Sequence, residues 1–246
     1  VSCEMDEIMR IAREHSLFVV EDAAQGVMAE YRGKALGTIG DIGCYSFHET
    51  KNYTMGEGGA IVLNNESFID RAEIIREKGT NRSRFFRGEI DKYSWVDIGS
   101  SYLPSDINAA LLLPQLEIAD VINNNRLDSW MKYYNGLNGL ADCGRIELPV
   151  VPCECKHNAH MFYVKVKNLE ERSRLLAYLK SNGVSAVFHY VPLHSTEIGT
   201  KYGMFFGDDI YTTRESERLF RLPMYYDIAE NEVEQIIMLI KRYYDN

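Results

Sequence analysis

Between Glu4 and His15 the apolar residues Met5, Ile8, Met9, Ile11 and Ala12 recur at helical spacing with charges between them, which predicts an amphipathic helix. The period then changes. Residues 17–20 (Leu, Phe, Val, Val) form a short apolar run that stops at Glu21 and Asp22, the mark of a buried parallel strand with polar residues at its carboxyl end. Ligands of open α/β sheets bind at that end. Residues 28–36, with Arg32, Gly33 and Lys34 in the middle, predict a small hairpin. Residues 42–47 and 60–63 predict two further strands around a loop that holds Lys51 and the run Gly56, Glu57, Gly58, Gly59. Phe68, Ile69, Ala72, Ile74 and Ile75 predict a helix over 67–78, closed by Gly79 just past its end. The polar stretch 80–88, with Arg82, Arg84 and Arg87, reads as an exposed loop.

Residues 104–119 predict a helix with Ser105 near its start, and 126–140 another, so the chain leaves its sheet domain between them. The pattern after that is different. A strand over 161–166, a helix over 169–182 ended by Gly183, a strand over 184–190 and a terminal amphipathic helix over 230–244 predict a small α+β domain. The expected architecture is α/β, with a mostly parallel sheet in residues 1–120 and a small C-terminal domain in residues 121–246.

Composition narrows the function classes. Of 246 residues 46% are hydrophobic and 26% charged, an ordinary folded composition. The net charge of −9 offers no basic surface for phosphate, so nucleic acid is not expected as a partner. No apolar run reaches the roughly 18 residues of a membrane span, and the first residues lack a basic-then-apolar leader. Five unevenly spaced cysteines read as free thiols in a reducing compartment, so the expected location is cytoplasmic. A buried strand also needs partners on both sides, and the chain starts on the helix that feeds one, with Val rather than Met. An upstream piece is therefore expected to be absent.

Two residues carry the candidate chemistry. Asp22 at a strand end either pairs with a cationic ligand nitrogen or caps a turn. Lys51, just past a strand, is either a desolvated nucleophile or a solvated charge. Together they would supply what a pyridoxal phosphate site requires: an anion to keep the pyridine nitrogen protonated and an amine for the aldehyde. The run Cys153, Cys155, His157, His160 is tighter than zinc spacings, and thiols and histidines in a loop are favoured over a metal.

The blocks Val20-Glu21-Asp22-Ala23-Ala24-Gln25, Gly40-Asp41, Tyr45-Ser46-Phe47, Lys51 and Gly56-Glu57-Gly58-Gly59 resemble, in order and spacing, the sugar-nucleotide aminotransferases of the DegT and StrS type. Ala109, Ala110, Gln115 and Leu116, the block His189-Tyr190-Val191-Pro192-Leu193-His194, and Leu222-Pro223 extend the resemblance over nearly the whole chain. It implies a fold-type I pyridoxal phosphate enzyme that uses glutamate to aminate a nucleotide-linked 4-keto-6-deoxy sugar, acting as a homodimer with active sites at the subunit interface. By the same resemblance Lys51 is the Schiff-base lysine and proton shuttle, and Asp22 binds the pyridinium nitrogen. Gln25 lies beside the ring near its 3-oxygen, and Ser46 donates to the cofactor phosphate. Ser101 stands where relatives often carry an asparagine that reaches the neighbouring subunit's cofactor phosphate, and His189, Tyr190 and His194 are candidates for the sugar-nucleotide cleft. The family's phosphate-cradling loop lies upstream, so this chain alone is expected to be weak or inactive. A non-catalytic dimerisation partner and a pyridoxamine phosphate-dependent sugar dehydratase are the competing readings. Lys51 argues against the second, because that branch carries histidine there.

Overall fold

The computed structural model describes residues 1–245, which divide into two compact units. The first comprises residues 1–120 together with 151–158, and the second comprises 121–150 and 159–245.

In the first unit, α1 (Met5–Glu14) turns Met5 and Ala12 inward and leads to β1 (Val20–Asp22). A hairpin of β2 (Glu30–Tyr31) and β3 (Lys34–Ala35) follows, its two turn residues Arg32 and Gly33 both at positive φ. That turn matches the right-handed twist of paired strands. β4 (Ile42–Ser46) pairs parallel with β1 and antiparallel with β5 (Gly59–Leu63), giving a mixed sheet in the order β1-β4-β5. Beyond it come α2 (Ile69–Arg76), α3 (Arg82–Phe86) and α4 (Asp106–Glu117), the last capped by Ser105, whose hydroxyl accepts from Asn108 N–H. α5 (Ala119–Asp142) then begins.

Three expectations change here. The first strand sits at 20–22 rather than 17–20 and is not buried: Phe18 is 68% and Val20 61% exposed. Among the described residues β1 pairs only with β4, so its outer edge has no strand to cover it. The stretch 80–88 is not all loop, because 82–86 closes into the turn of helix α3. The five residues are too few to show a period.

The second unit is built around a three-stranded antiparallel sheet in the order β7-β9-β8: β7 (Phe162–Lys165), β8 (Val187–Phe188) and β9 (Leu219–Leu222). Phe162, Val164 and Phe220 point inward at full burial, against Tyr133 and Leu137 of α5, Leu175 and Leu179 of α6 (Leu169–Ser181), and Val233 and Ile240 of α9 (Glu230–Asp245). Asn168 caps α6 by accepting from Glu171 N–H, and Gly183 at positive φ closes it. α7 (Glu197–Tyr202) and α8 (Thr212–Arg218) fill the stretch between β8 and β9.

The short strand β6 (Cys155–Lys156) lies in sequence between second-unit segments but pairs antiparallel with β2 of the first unit, and residues 151–158 are counted there. Among the described residues no group of three or more His, Cys, Asp or Glu side chains comes together as a metal site. None of the helices there is long and apolar enough to cross a membrane.

Candidate active site

Register decides which carboxylate can reach a ligand. Asp22 is paired with Cys44, and Glu21 with Gly43, in neighbouring parallel strands. Side chains directly opposite share a face and successive ones alternate. Asp22, Cys44 and Ser46 therefore stand on one face of the sheet, and Glu21, Gly43 and Tyr45 on the other.

The Glu21 face is occupied by the chain itself. The buried Glu21 carboxylate accepts from the backbone N–H groups of Gly37 at 2.8 Å, Ile39 at 2.7 Å and Gly40 at 2.7 Å. Tyr45 donates its hydroxyl to Leu36 O on the same face. The loop runs so close that a Cβ on Gly43 would stand 2.1 Å from Gly37 O, which explains glycine there. Glu21 is thus spent on structure.

Asp22 is left available. It is exposed, and Oδ1 accepts from Ala24 N–H at 3.1 Å. Ser46 lies two residues beyond the strand partner of Asp22, so both are at the carboxyl ends of adjacent parallel strands. Its Oγ accepts from His48 N–H at 3.3 Å, which leaves the hydroxyl proton free to donate.

Lys51 lies five residues on, in a loop whose every neighbour is tied down. Lys51 N–H donates to His48 O, Glu49 N–H to Gly56 O and Met55 N–H to Phe47 O, each at 2.9 Å. Tyr53 is 1% exposed and donates its hydroxyl to Ala119 O at 3.0 Å. Gln115 of α4 holds both backbone groups of Thr54: Oε1 accepts from Thr54 N–H at 3.0 Å and Nε2 donates to Thr54 O at 2.8 Å. Gly56 takes positive φ, and a Cβ on Gly59 would meet Tyr45 O at 2.5 Å. In this fixed frame Lys51 is half-buried, and among the described residues its ammonium has no hydrogen-bond or ion-pair partner. A lysine side chain held in place with no competing partner is suited to bond an aldehyde.

Gln25 follows Asp22 in the turn that Gly26 N–H closes onto Ala23 O, and its side chain is exposed. Ser101, also exposed, is bridged to Glu77 at the end of α2. His189, Tyr190 and His194 belong to the second unit. Burial pushes the His189 imidazole below its ordinary value, Arg221 adds to this, and Nδ1 has no partner among the described residues. His194 is paired with Asp209 at 2.9 Å.

Sequence reasoning missed two groups that shape the site. Gln115 carried only a resemblance. Asn158 carried no signal, because an amide aimed at backbone carbonyls leaves no period; its Nδ2 donates to Gln25 O and Val27 O, each at 2.8 Å.

The sequence profile of the DegT/DnrJ/EryC1/StrS aminotransferase family matches residues 1–241. An uncharacterized protein of Methanocaldococcus jannaschii is 32% identical over 251 residues, covering 98% of this chain and 63% of its own. GDP-perosamine synthase of Caulobacter vibrioides is 30% identical over 242 residues, covering 96% of this chain and 61% of its own. The crystal structure of DesV from S. venezuelae, in complex with a ketimine intermediate, matches with a TM-score of 0.87 at 27% identity, covering 100% of this chain and 62% of its own. The chain thus spans about three-fifths of the length of the curated relatives it matches. The cofactor these comparisons indicate is pyridoxal phosphate, and the donor set fits it. A carboxylate with a free oxygen, a hydroxyl with a free proton and an unpaired amine are the groups that a pyridinium nitrogen, a phosphate and an aldehyde require.

Proposed function

The chain belongs to the DegT/DnrJ/EryC1/StrS aminotransferase family, and from that membership we propose that the whole protein is a pyridoxal phosphate-dependent aminotransferase of nucleotide-linked sugars. The observation that supports this reading most is local. Asp22 and Ser46 share one sheet face at neighbouring strand ends, and the unpaired Lys51 follows in a loop fixed on both sides.

When bound, pyridoxal phosphate supplies an electron-withdrawing pyridinium ring that spreads the negative charge left on a carbon that has lost its proton. Asp22 keeps the ring nitrogen protonated by placing a fixed negative charge beside it. Ser46 donates its hydroxyl proton to the phosphate, and Gln25 orients the ring from beside its 3-oxygen. Lys51 Nζ would hold the cofactor through its aldehyde and would be the group that moves a proton between carbons. Ser101 reaches the cofactor phosphate of the neighbouring subunit in a homodimer. His189, Tyr190 and His194 line the sugar-nucleotide cleft.

The finer reading is that glutamate gives its amino group and leaves as 2-oxoglutarate, and that the acceptor is C4 of dTDP-4-oxo-6-deoxyglucose. The product is then dTDP-4-amino-4,6-dideoxygalactose, the reaction of the transaminase of enterobacterial common antigen synthesis, which the sequence blocks resemble. The relation to GDP-perosamine synthase makes GDP the rival nucleotide.

Borohydride reduction of cofactor-loaded protein followed by peptide mass spectrometry tests the class. Cofactor fixed on Lys51 is expected, and fixation on another lysine or on none overturns the reading. Amination of dTDP- and GDP-linked keto sugars, with the product carbon and its configuration read by NMR, then identifies the substrate.

A further inference from the structure

We propose that Asn158 is a positioning residue that fixes the distance between the two loops carrying the cofactor-binding groups; its relevance to catalysis rests on the functional reading above. Its side-chain amide donates to Gln25 O and Val27 O, both at 2.8 Å, and so holds the turn that follows Asp22. Its own carbonyl accepts from Asn52 Nδ2 at 2.9 Å, and so holds the residue next to Lys51. One buried residue, 6% exposed, therefore touches the aspartate loop and the lysine loop at once.

The rest of its segment explains how it can bear that load. Residues 151–158 form a strap on the first unit: β6 pairs with β2, Arg32 N–H donates to Glu154 O at 2.7 Å, and Lys156 is paired with Glu30 at 3.0 Å. These ties anchor the strap independently of Asn158. The two Nδ2 bonds consume both protons of the amide, so only an amide in this orientation satisfies two carbonyls at once. Gln25 and Lys51 sit on the loops that follow the adjacent strands β1 and β4, and small errors in the placement of catalytic groups are costly in rate.

The test compares wild type with Asn158→Ala, Asn158→Asp and Asn52→Ala by hydrogen exchange on cofactor-free protein and by spectroscopy on loaded protein. In Asn158→Ala, which removes the side-chain amide and keeps the backbone carbonyl that Asn52 uses, the backbone amides of residues 24–28 are expected to exchange at least about tenfold faster, with 49–55, β4 and β5 unchanged, because local opening governs those amides. Asn158→Asp keeps the size and the backbone carbonyl but turns a carboxylate oxygen toward two carbonyls. It is expected to loosen 24–28 more than alanine does. Asn52→Ala is expected to loosen only 49–55. In loaded protein the midpoint of the cofactor's absorbance change with pH is expected to move by about half a unit or more in Asn158→Ala, since the lysine and the aspartate no longer hold their spacing. A general loss of stability would not move that midpoint. Unchanged exchange of 24–28 in Asn158→Ala, or of 49–55 in Asn52→Ala, overturns the proposal, as does an unchanged midpoint with faster exchange. If borohydride fixes no cofactor on Lys51 of the wild type, the functional reading fails, while the exchange data still decide whether Asn158 ties the two loops.

Discussion

Glu21 and Asp22 are neighbours with nearly the same chemistry, and the pleat of a strand gives them opposite work. Asp22→Asn removes a charge from an exposed side chain with one local hydrogen bond, so the thermal midpoint is expected to stay within a degree or two. If the ring nitrogen depends on that charge, turnover falls by about 100-fold or more, a loss typical of removing a proton-positioning group. Steady-state kinetics beside a melting curve separate the two effects. Glu21→Gln should do the reverse. A neutral amide offers one acceptor oxygen to three backbone donors, leaving at least one buried N–H poorly paired at a cost of about 2 kcal/mol. Denaturant unfolding measures that loss. The sequence placed both acids at a strand end and a family resemblance singled out Asp22, yet the opposite facing of the two acids rests on the register with β4, a long-range pairing that no local pattern encodes.

At the scale of elements, legibility tracked the strength of the period. The helices α1 and α9 repeat an apolar face, α4 is marked by its Ser105 cap and α6 by the glycine that closes it, and each lies within a few residues of its sequence expectation. β9 was invisible although it is the central strand of the second sheet. Its four residues Leu-Phe-Arg-Leu follow α8 directly, and a central role depends on partners far away in sequence. The lysine loop shows the same limit. Its glycines could be read, but the grip of Gln115 across 61 residues could not. Gln115→Ala leaves Thr54 N–H and C=O both without that partner in a partly buried setting, and a destabilisation of about 1–2 kcal/mol is expected. The accompanying sign is kinetic: borohydride fixation on Lys51 should slow, because the loop samples more conformations before the amine is presented. Stability loss with unchanged fixation would mean that Gln115 supports α4 rather than the lysine.

For the molecule as a whole, acid should act on the second unit through one group of charges. Lys165 on β7 is bracketed by Glu215 of α8 at 2.9 Å and Glu147 at 3.2 Å, and Arg218 pairs with both acids. The Lys165 ammonium, with Arg214 and Arg218 beside it, holds the Glu215 carboxyl well below its usual range, at about 2, against a burial that would raise it. Arg218 first, then Lys165, lowers Glu147 in the same way. A carboxyl whose folded value is depressed stabilises above its unfolded value, about 4.3, and that contribution is lost as pH falls toward the folded one. The window is therefore from about pH 5 down to about 2. Partial exposure screens the pairs, so the stake for Glu215 is on the order of 1–2 kcal/mol. Trp130 reports it: this tryptophan is 5% exposed in the second unit, whereas Trp95 of the first is 77% exposed and little changed on unfolding. The net charge of −9 also passes through zero near pH 5, a global effect that one neutralised acid barely alters. Glu215→Gln is thus expected to lower the Trp130 unfolding midpoint at pH 7 and to flatten its fall between pH 5 and 2, so that the two proteins converge in acid. Parallel curves across that window would show that the acid response belongs to the overall charge and not to this cluster.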